Sequence, residues 1–445
     1  MVVARNFRRQ LGGLPAAMCV AVVMGCWPGR AYAMDCSVSA YTTTSRTRDR
    51  AILEGGGLAS GGRWADARAV YLWVLARNEN DAEALFGLAR VDAWGGCWSL
   101  SESEYRAALA AHPNDADVRA GYVDLLIWRG RIADAQRALE EGLAIDPQSP
   151  QLVGKAAKFA AWRGDASLAV ALAAAAERGA PEDRELRAMA DRFFVGEARV
   201  ITHLDVYPPG RQNVYATTAQ VLQRIGRFEL TGGAQLLDHF GNGTSSFLDA
   251  RYPFGVAYHP ALGMMVGLEL TPGAPANAIP HFALRAWSLF PIAGPLDASL
   301  AYSFWEFDGG ESVSIFNPGV GIALPGNLRL DLRSWVSAVR LPPSGLQTAQ
   351  TKVVAAAGLQ LTWSVTRRID LSLAYTYGAE ADPSQTVAGS LQLQASESHI
   401  ATAFADILLH RHFGVRPLAM VERLAGPSAA ALWIEACELG GYARW

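Results

Sequence analysis

Nine residues in the second half of the chain have types and spacing that could do chemistry: Arg285, Trp287, Asp297, Trp305, Arg329, Asp331, Arg333, Trp335 and Asp370. Indole faces stack on sugar rings, and guanidinium and carboxylate groups hydrogen-bond hydroxyls. The same charges could instead satisfy one another and do nothing but hold a structure together. Both readings stay open at this level. The stretch Asn327 to Ala338 shows how such residues would be placed. Leu328, Leu330, Leu332, Val336 and Ala338 fall on one face, and Asn327, Arg329, Asp331, Arg333, Trp335 and Ser337 on the other, which is the period of a strand.

Catalysis finds no footing. The sequence holds no nucleophile elbow, no HExxH and no paired-cysteine motif, and His410-Arg411-His412 reads as a strand end rather than a metal site. We therefore expect no catalytic residue, no metal and no cofactor. A formal net charge of -3 offers no basic field for nucleic acid or for anionic headgroups.

The elements that must position the nine residues are strands. Beyond Val195, short alternating segments are separated by Pro208-Pro209-Gly210, Gly241-Asn242-Gly243, Asp308-Gly309-Gly310 and Pro342-Pro343-Ser344-Gly345. Phe282, Leu284, Ala286 and Phe290 oppose His281, Arg285 and Trp287. Leu296, Ala298, Leu300, Tyr302 and Phe304 oppose Asp297, Ser299, Ser303 and Trp305. Ile369, Leu371, Leu373, Tyr375 and Tyr377 oppose Arg368, Asp370, Ser372 and Thr376, while Leu391 and Leu393 oppose Ser390, Gln392 and Gln394. Tyrosine and phenylalanine gather at the ends of the apolar rows, where a membrane interface would want them. The last eight residues alternate towards a terminal aromatic, with Glu438, Gly440, Ala443 and Trp445 forming the pattern of an amphipathic edge strand offered to the barrel-assembly machinery. The expectation is an antiparallel transmembrane barrel of about twelve strands, lipid outside and a polar lumen inside, in preference to a secreted β-sandwich.

Upstream, the chain repeats. Gly62, Gly96, Gly130 and Gly164 are each 34 apart, as are Pro113, Pro147 and Pro181, and Trp94, Trp128 and Trp162; this is the tetratricopeptide period of two helices per unit. The glycines suit a left-handed turn between helices, and Ala67, Ser101, Ala135 and Ala169 suit close helix approach. The tryptophans read as packing between units, and Pro181 to Phe194 as a capping helix. Ahead of the repeats, Arg5, Arg8 and Arg9, an apolar run from Leu11 to Cys26 and Ala31-Tyr32-Ala33 form an export signal, with a lipoprotein box ending at Cys26 and a twin-arginine signal as rival forms. A Cys36 to Cys97 disulfide is permitted in an oxidising compartment. The resulting plan is a multidomain α + β chain: signal peptide 1–33, linker 34–47, a helical repeat solenoid 48–196 of four units plus cap, and the barrel 197–445.

With its Trp128-Arg129-Gly130 and Trp162-Arg163-Gly164 motifs and its Glu438 to Trp445 terminus, the chain resembles the YaiO-type outer-membrane family. More distantly it is similar to the outer-membrane exporters of poly-N-acetylglucosamine and cellulose. That resemblance implies a barrel in the cell outer membrane, repeats in the periplasm, and a part in exopolysaccharide export or surface display. The repeats would dock a periplasmic polysaccharide-modifying enzyme, and the polysaccharide would meet the lumen residues named above. The other reading is a non-transporting anchor that presents the repeats as a scaffold. With four repeats and a narrow barrel, passage of a whole polymer is less well provided for than in the large exporters.

Overall fold

The computed structural model describes residue 36 and residues 40–207, 212–241, 246–293, 295–324, 326–343, 348–378, 397–425 and 432–445. The export segment, the strand expected around Leu391 and the loop tips at Pro209, Asn242 and Ser344 lie outside the described residues. The chain separates into two compact units, Met1–Arg129 and Gly130–Trp445, so the division falls inside the repeats and not at their end.

The first unit holds α1 (Arg48–Ser60), α2 (Trp64–Leu75), α3 (Ala82–Trp94), α4 (Trp98–Ala111) and α5 (Ala116–Trp128). The second opens with α6 (Ile132–Ile145), α7 (Pro150–Trp162), α8 (Ala166–Gly179) and α9 (Arg184–Arg192). The periodic residues take the expected places. Gly62, Gly96, Gly130 and Gly164 all have φ between 71° and 81° in the turns that join paired helices, a region that costs a side chain dearly. Ala67, Ser101 and Ala135 are fully buried and Ala169 nearly so; the Ser101 hydroxyl donates to the Ala89 carbonyl at 2.7 Å. Pro113, Pro147 and Pro181 each sit just ahead of a helix. A further 34-residue series starts these helices: Asp81, Asp115, Ser149 and Asp183 are N-caps whose side chains accept from first-turn amides. The tryptophans divide. Trp94 packs against the core of the first unit and Trp162 sits edge-on to Phe159, whereas Trp128 is 42% exposed. Cys36 and Cys97 are disulfide-bonded.

The strands are β1 (Gly196–Val206), β2 (Asn213–Ile225), β3 (Phe228–Phe240), β4 (Phe247–Arg251), β5 (Phe254–Tyr258), β6 (Met265–Pro272), β7 (Phe282–Ala293) and β8 (Leu296–Glu306). They continue as β9 (Ser312–Leu324), β10 (Leu328–Leu341), β11 (Gln350–Thr366), β12 (Ile369–Gly378), β13 (Glu397–His410), β14 (Phe413–Ala425) and β15 (Leu432–Arg444). Every neighbour is antiparallel. β4 and β5 both pair with β3 and form one stave broken at Tyr252-Pro253, because a proline cannot donate to the ladder. The barrel therefore has fourteen staves, against the expected figure of about twelve. β15 pairs with β1 from Arg444↔Glu197 to Glu435↔Val206 and closes the cylinder, so the terminal strand has no free edge.

Alternation decides the faces. Val200, Leu230, Leu268, Leu361, Leu373 and Val421 point outward and are exposed, as are Trp363, Phe413 and Trp445 near the short-turn end and Tyr215, Tyr302, Tyr375, Tyr377 and Trp433 near the loop end. An apolar belt between two aromatic rings is what a barrel in lipid requires. No helix among the described residues is long and apolar enough to cross a membrane.

Within the second unit, the last helices sit on the short-turn end of the barrel. Arg411, in the β13–β14 turn, reaches Glu177 at 2.9 Å and Asp191 at 3.4 Å, and Arg368, in the β11–β12 turn, lies 3.7 Å from Asp191. Gly164 approaches His259 so closely that a Cβ there would stand 2.7 Å from the imidazole. His410-Arg411-His412 is thus a strand end and turn used for docking.

Candidate functional site: the barrel lumen

The lumen has a floor, a cavity and a roof. The floor, at the short-turn end, consists of paired charges. Arg329 donates to both oxygens of Asp297 at 2.7 and 2.8 Å and to Asp331 at 2.8 to 3.0 Å. Asp297 is on β8 and Arg329 on β10, so the guanidinium must pass over β9; it can do so because Gly321 faces it, where a Cβ would lie 2.0 Å from the Arg329 nitrogen. On the opposite wall Glu197 accepts from Arg416 at 3.0 Å and from Arg444 at 2.8 Å. Asp406 accepts from Arg416 at 2.8 Å and from the Tyr442 hydroxyl at 2.6 Å. All are charge-assisted, and the Arg329–Asp297 and Arg416–Glu197 pairs are bidentate, the strong kind.

Above the floor lies a cavity of about 220 Å³, lined by Arg251, Glu269, Arg285, Trp305, Trp335 and further polar groups of β2, β3, β8 and β9. Its arginines lack the carboxylate partners of the floor. Arg251 donates through Nε to the Gln235 side-chain carbonyl, and Gln235 donates in turn to Thr218 at 2.9 Å. Arg285 lies 5.7 Å from the Trp287 ring centroid.

The roof is the segment joining β6 and β7, which folds into the loop-end mouth. Ile279 is 3% exposed and packs with Val214, Ala216, Leu237, Leu424 and Ile434, all inward-facing. Asp249, fully buried on β4, holds the segment by accepting from the Asn277 backbone and side chain at 2.7 and 2.9 Å and from the Ala278 amide at 2.9 Å. Pro280 of this segment lines the cavity.

All nine residues singled out by spacing face inward, but they do not meet at one place. Arg285, Trp305 and Trp335 line the cavity. Trp335 is only 5% exposed and packs with Val313, Ile315, Val339 and Ala356, which leaves Trp305 as the more open indole. Trp287 covers Gly267, whose Cβ would stand 2.2 Å from the ring. Asp297, Arg329 and Asp331 form the floor. Arg333 passes Gly319, and Asp370 lies at the short-turn mouth, 3.4 Å from Arg192 of α9. In the terminal strand Glu438 faces inward, 3.5 Å from His203; Gly440 is also inward, whereas Ala443 and Trp445 point outward. Spacing alone missed Arg251, Glu269, Gln235 and Asp249.

Comparison with known proteins finds likenesses to the helical repeats and to the barrel separately. The tetratricopeptide repeat family model matches residues 102–159. No curated protein matches the chain. Among solved structures, the CymD monoaromatic hydrocarbon channel is similar at 8% identity over 58% of this chain and 91% of its own, with a TM-score of 0.42. A bacterial polysaccharide outer membrane secretin is similar at 9% identity over 56% and 98%, with a TM-score of 0.37. A thermophilic tetratricopeptide repeat protein of Thermus thermophilus is similar at 19% identity over 33% and 80%, with a TM-score of 0.29.

Proposed function

We propose that this protein is an outer-membrane barrel whose repeats stand in the periplasm and whose lumen handles a polysaccharide on its way to export or display at the cell surface. The observation that carries this reading is the cavity. Trp305 offers an aromatic face beside Arg251, Arg285 and Glu269, whose hydrogen-bonding capacity the rest of the wall leaves largely unused. Sugars are held by such a combination of one flat apolar surface and several charged or polar groups in a half-dry site. The YaiO-type resemblance of the repeats and terminus points the same way, and the repeats supply a concave surface for a periplasmic polysaccharide-modifying enzyme. Floor and roof narrow the passage, so transport of a chain requires the Asn277–Ile279 segment to move. Planar-bilayer recording tests the reading: the purified protein should show discrete conductance that oligosaccharides block. A surface polysaccharide that is unchanged when the gene is deleted would count against it.

The floor favours a second reading, that of an anchor. Its guanidinium groups meet carboxylates, and the last helices are fixed to the turns by Arg411 and Arg368. Bilayers that stay silent, with surface polysaccharide intact after deletion, would select the anchor.

A further inference from the structure

Two chemical classes of arginine stand out in the lumen. Arg329, Arg416 and Arg444 are each paired with carboxylates. Among the described residues, Arg251 is held by the neutral amide of Gln235, itself fixed by Thr218, and Arg285 by the face of Trp287. Arg251 and Arg285 line one cavity in which Glu269 is the sole carboxylate among the lining residues, so that wall carries one positive charge in excess. A guanidinium fixed through Nε by a neutral acceptor keeps its two terminal nitrogens for something else, and those form the edge that grips a carboxylate in two parallel bonds. Two guanidinium groups that share the single carboxylate of Glu269 leave one half-buried charge unbalanced, which is costly, so the site is arranged for an anion that arrives from outside.

We propose that the cavity binds an acidic sugar unit, its carboxylate on the terminal nitrogens of Arg251 and Arg285 and its ring against Trp305. The inference rests on the polysaccharide reading above and names its substrate class: a uronate-bearing polymer rather than a neutral one. The size agrees. A cavity of about 220 Å³ lies below the roughly 300 to 1,000 Å³ of sites for larger organic ligands, so it takes one ring at a time. Glu269, across the ladder from Arg285, is placed to accept from ring hydroxyls and leaves one net positive charge, matched by one carboxylate per sugar unit.

The test is titration calorimetry on the full-length protein in detergent with three probes: a galacturonic acid oligomer, an N-acetylglucosamine oligomer of equal length, and acetate. The uronate should bind at least about tenfold tighter than the neutral oligomer. Arg251→Gln should remove that margin by weakening the uronate at least about tenfold more than the neutral oligomer, and Arg285→Gln should do the same. Among the described residues Arg285 hydrogen-bonds no side chain of the wall, so it carries the test should the Arg251 variant fail to give a heat-modifiable barrel. A neutral oligomer that binds as well as the uronate overturns the acidic assignment and leaves the polysaccharide reading standing. Acetate binding as tightly as the uronate reduces the site to a plain anion site and overturns it too. A margin that survives in a folded variant does the same. If no sugar binds, both readings fall together.

Discussion

The two halves of the lumen use the same residue type to opposite ends. At the floor, Arg329 is clamped between Asp297 and Asp331, and Glu197 and Asp406 take Arg416, Arg444 and Tyr442. In the cavity Arg251 and Arg285 have only an amide and an indole. Charges that cancel one another make a wall; charges left over make a site. The difference teaches that the count of arginines in a barrel says little about recognition, and that the count of carboxylates within reach of each says much more.

The comparison can be broken by mutation, beginning at the floor. Removing Arg329 leaves two carboxylates facing each other in the lumen. Since these groups are partly wet, Arg329→Gln should cost roughly 2 to 3 kcal/mol, somewhat below the 3 to 5 kcal/mol typical of a fully buried pair. Gly321→Val should be at least as severe, because its Cβ would occupy the position of the guanidinium. Thermal melting in detergent, followed by loss of the heat-modifiable band, reads both. Arg251→Gln should shift the same melting point by less than about 0.5 kcal/mol equivalent, since it deletes no ion pair. Equal destabilisation by Arg329→Gln and Arg251→Gln would erase the distinction between the two ends.

The roof tests the same contrast from the other side. Asp249→Ala removes the acceptor of three hydrogen bonds from Asn277 and Ala278, and leaves the segment seated by Ile279 and by backbone bonds of Pro272, Ala274 and Pro275 to Tyr252 and Ala250. The expected outcome is a several-fold rise in bilayer conductance with the barrel still folded, worth about 1 to 3 kcal/mol of lost closure. Conductance that stays at the wild-type level would mean that the floor, not the roof, limits passage. Arg329→Gln combined with Asp249→Ala would then conduct where neither alone does.

Much of this was legible beforehand, and the reason is periodicity. A 34-residue step and a two-residue alternation are both one-dimensional signals, so the glycine turns, the small packing residues and the inward set around Arg329 could be read directly. The rest required register. Asp297 and Arg329 are 32 residues apart and meet only because β9 presents Gly321 between them. Arg251 was missed because Tyr252-Pro253 interrupts the alternation just where it ends a short strand, and that break also hid how the staves should be counted. Asp249 and Ile279 lie on a strand and on the loop that folds back to it. No spacing rule connects a strand residue to an Ala- and Pro-rich segment that turns inward.

In the helical repeats the imbalance is reversed. Arg68 bonds Asp92 at 3.0 Å, both are buried, and Glu104 joins the same group, so two carboxyls share one guanidinium. Burial, and then the neighbouring Asp92, push the Glu104 carboxyl well above its usual range, and it is held protonated near neutrality. A carboxyl whose folded value is raised binds its proton more tightly in the folded state. It therefore favours folding at acid pH, and that contribution declines as pH rises from the ordinary glutamate value towards the raised one. Glu104→Gln reproduces the protonated shape without the titration. It should leave stability at pH 4 unchanged and raise it at pH 8 by an amount on the order of 1 kcal/mol, flattening the slope between them. Stability that falls at pH 8 in the variant would show that the carboxylate is charged and compensated there, which is the pattern of the floor rather than of the cavity.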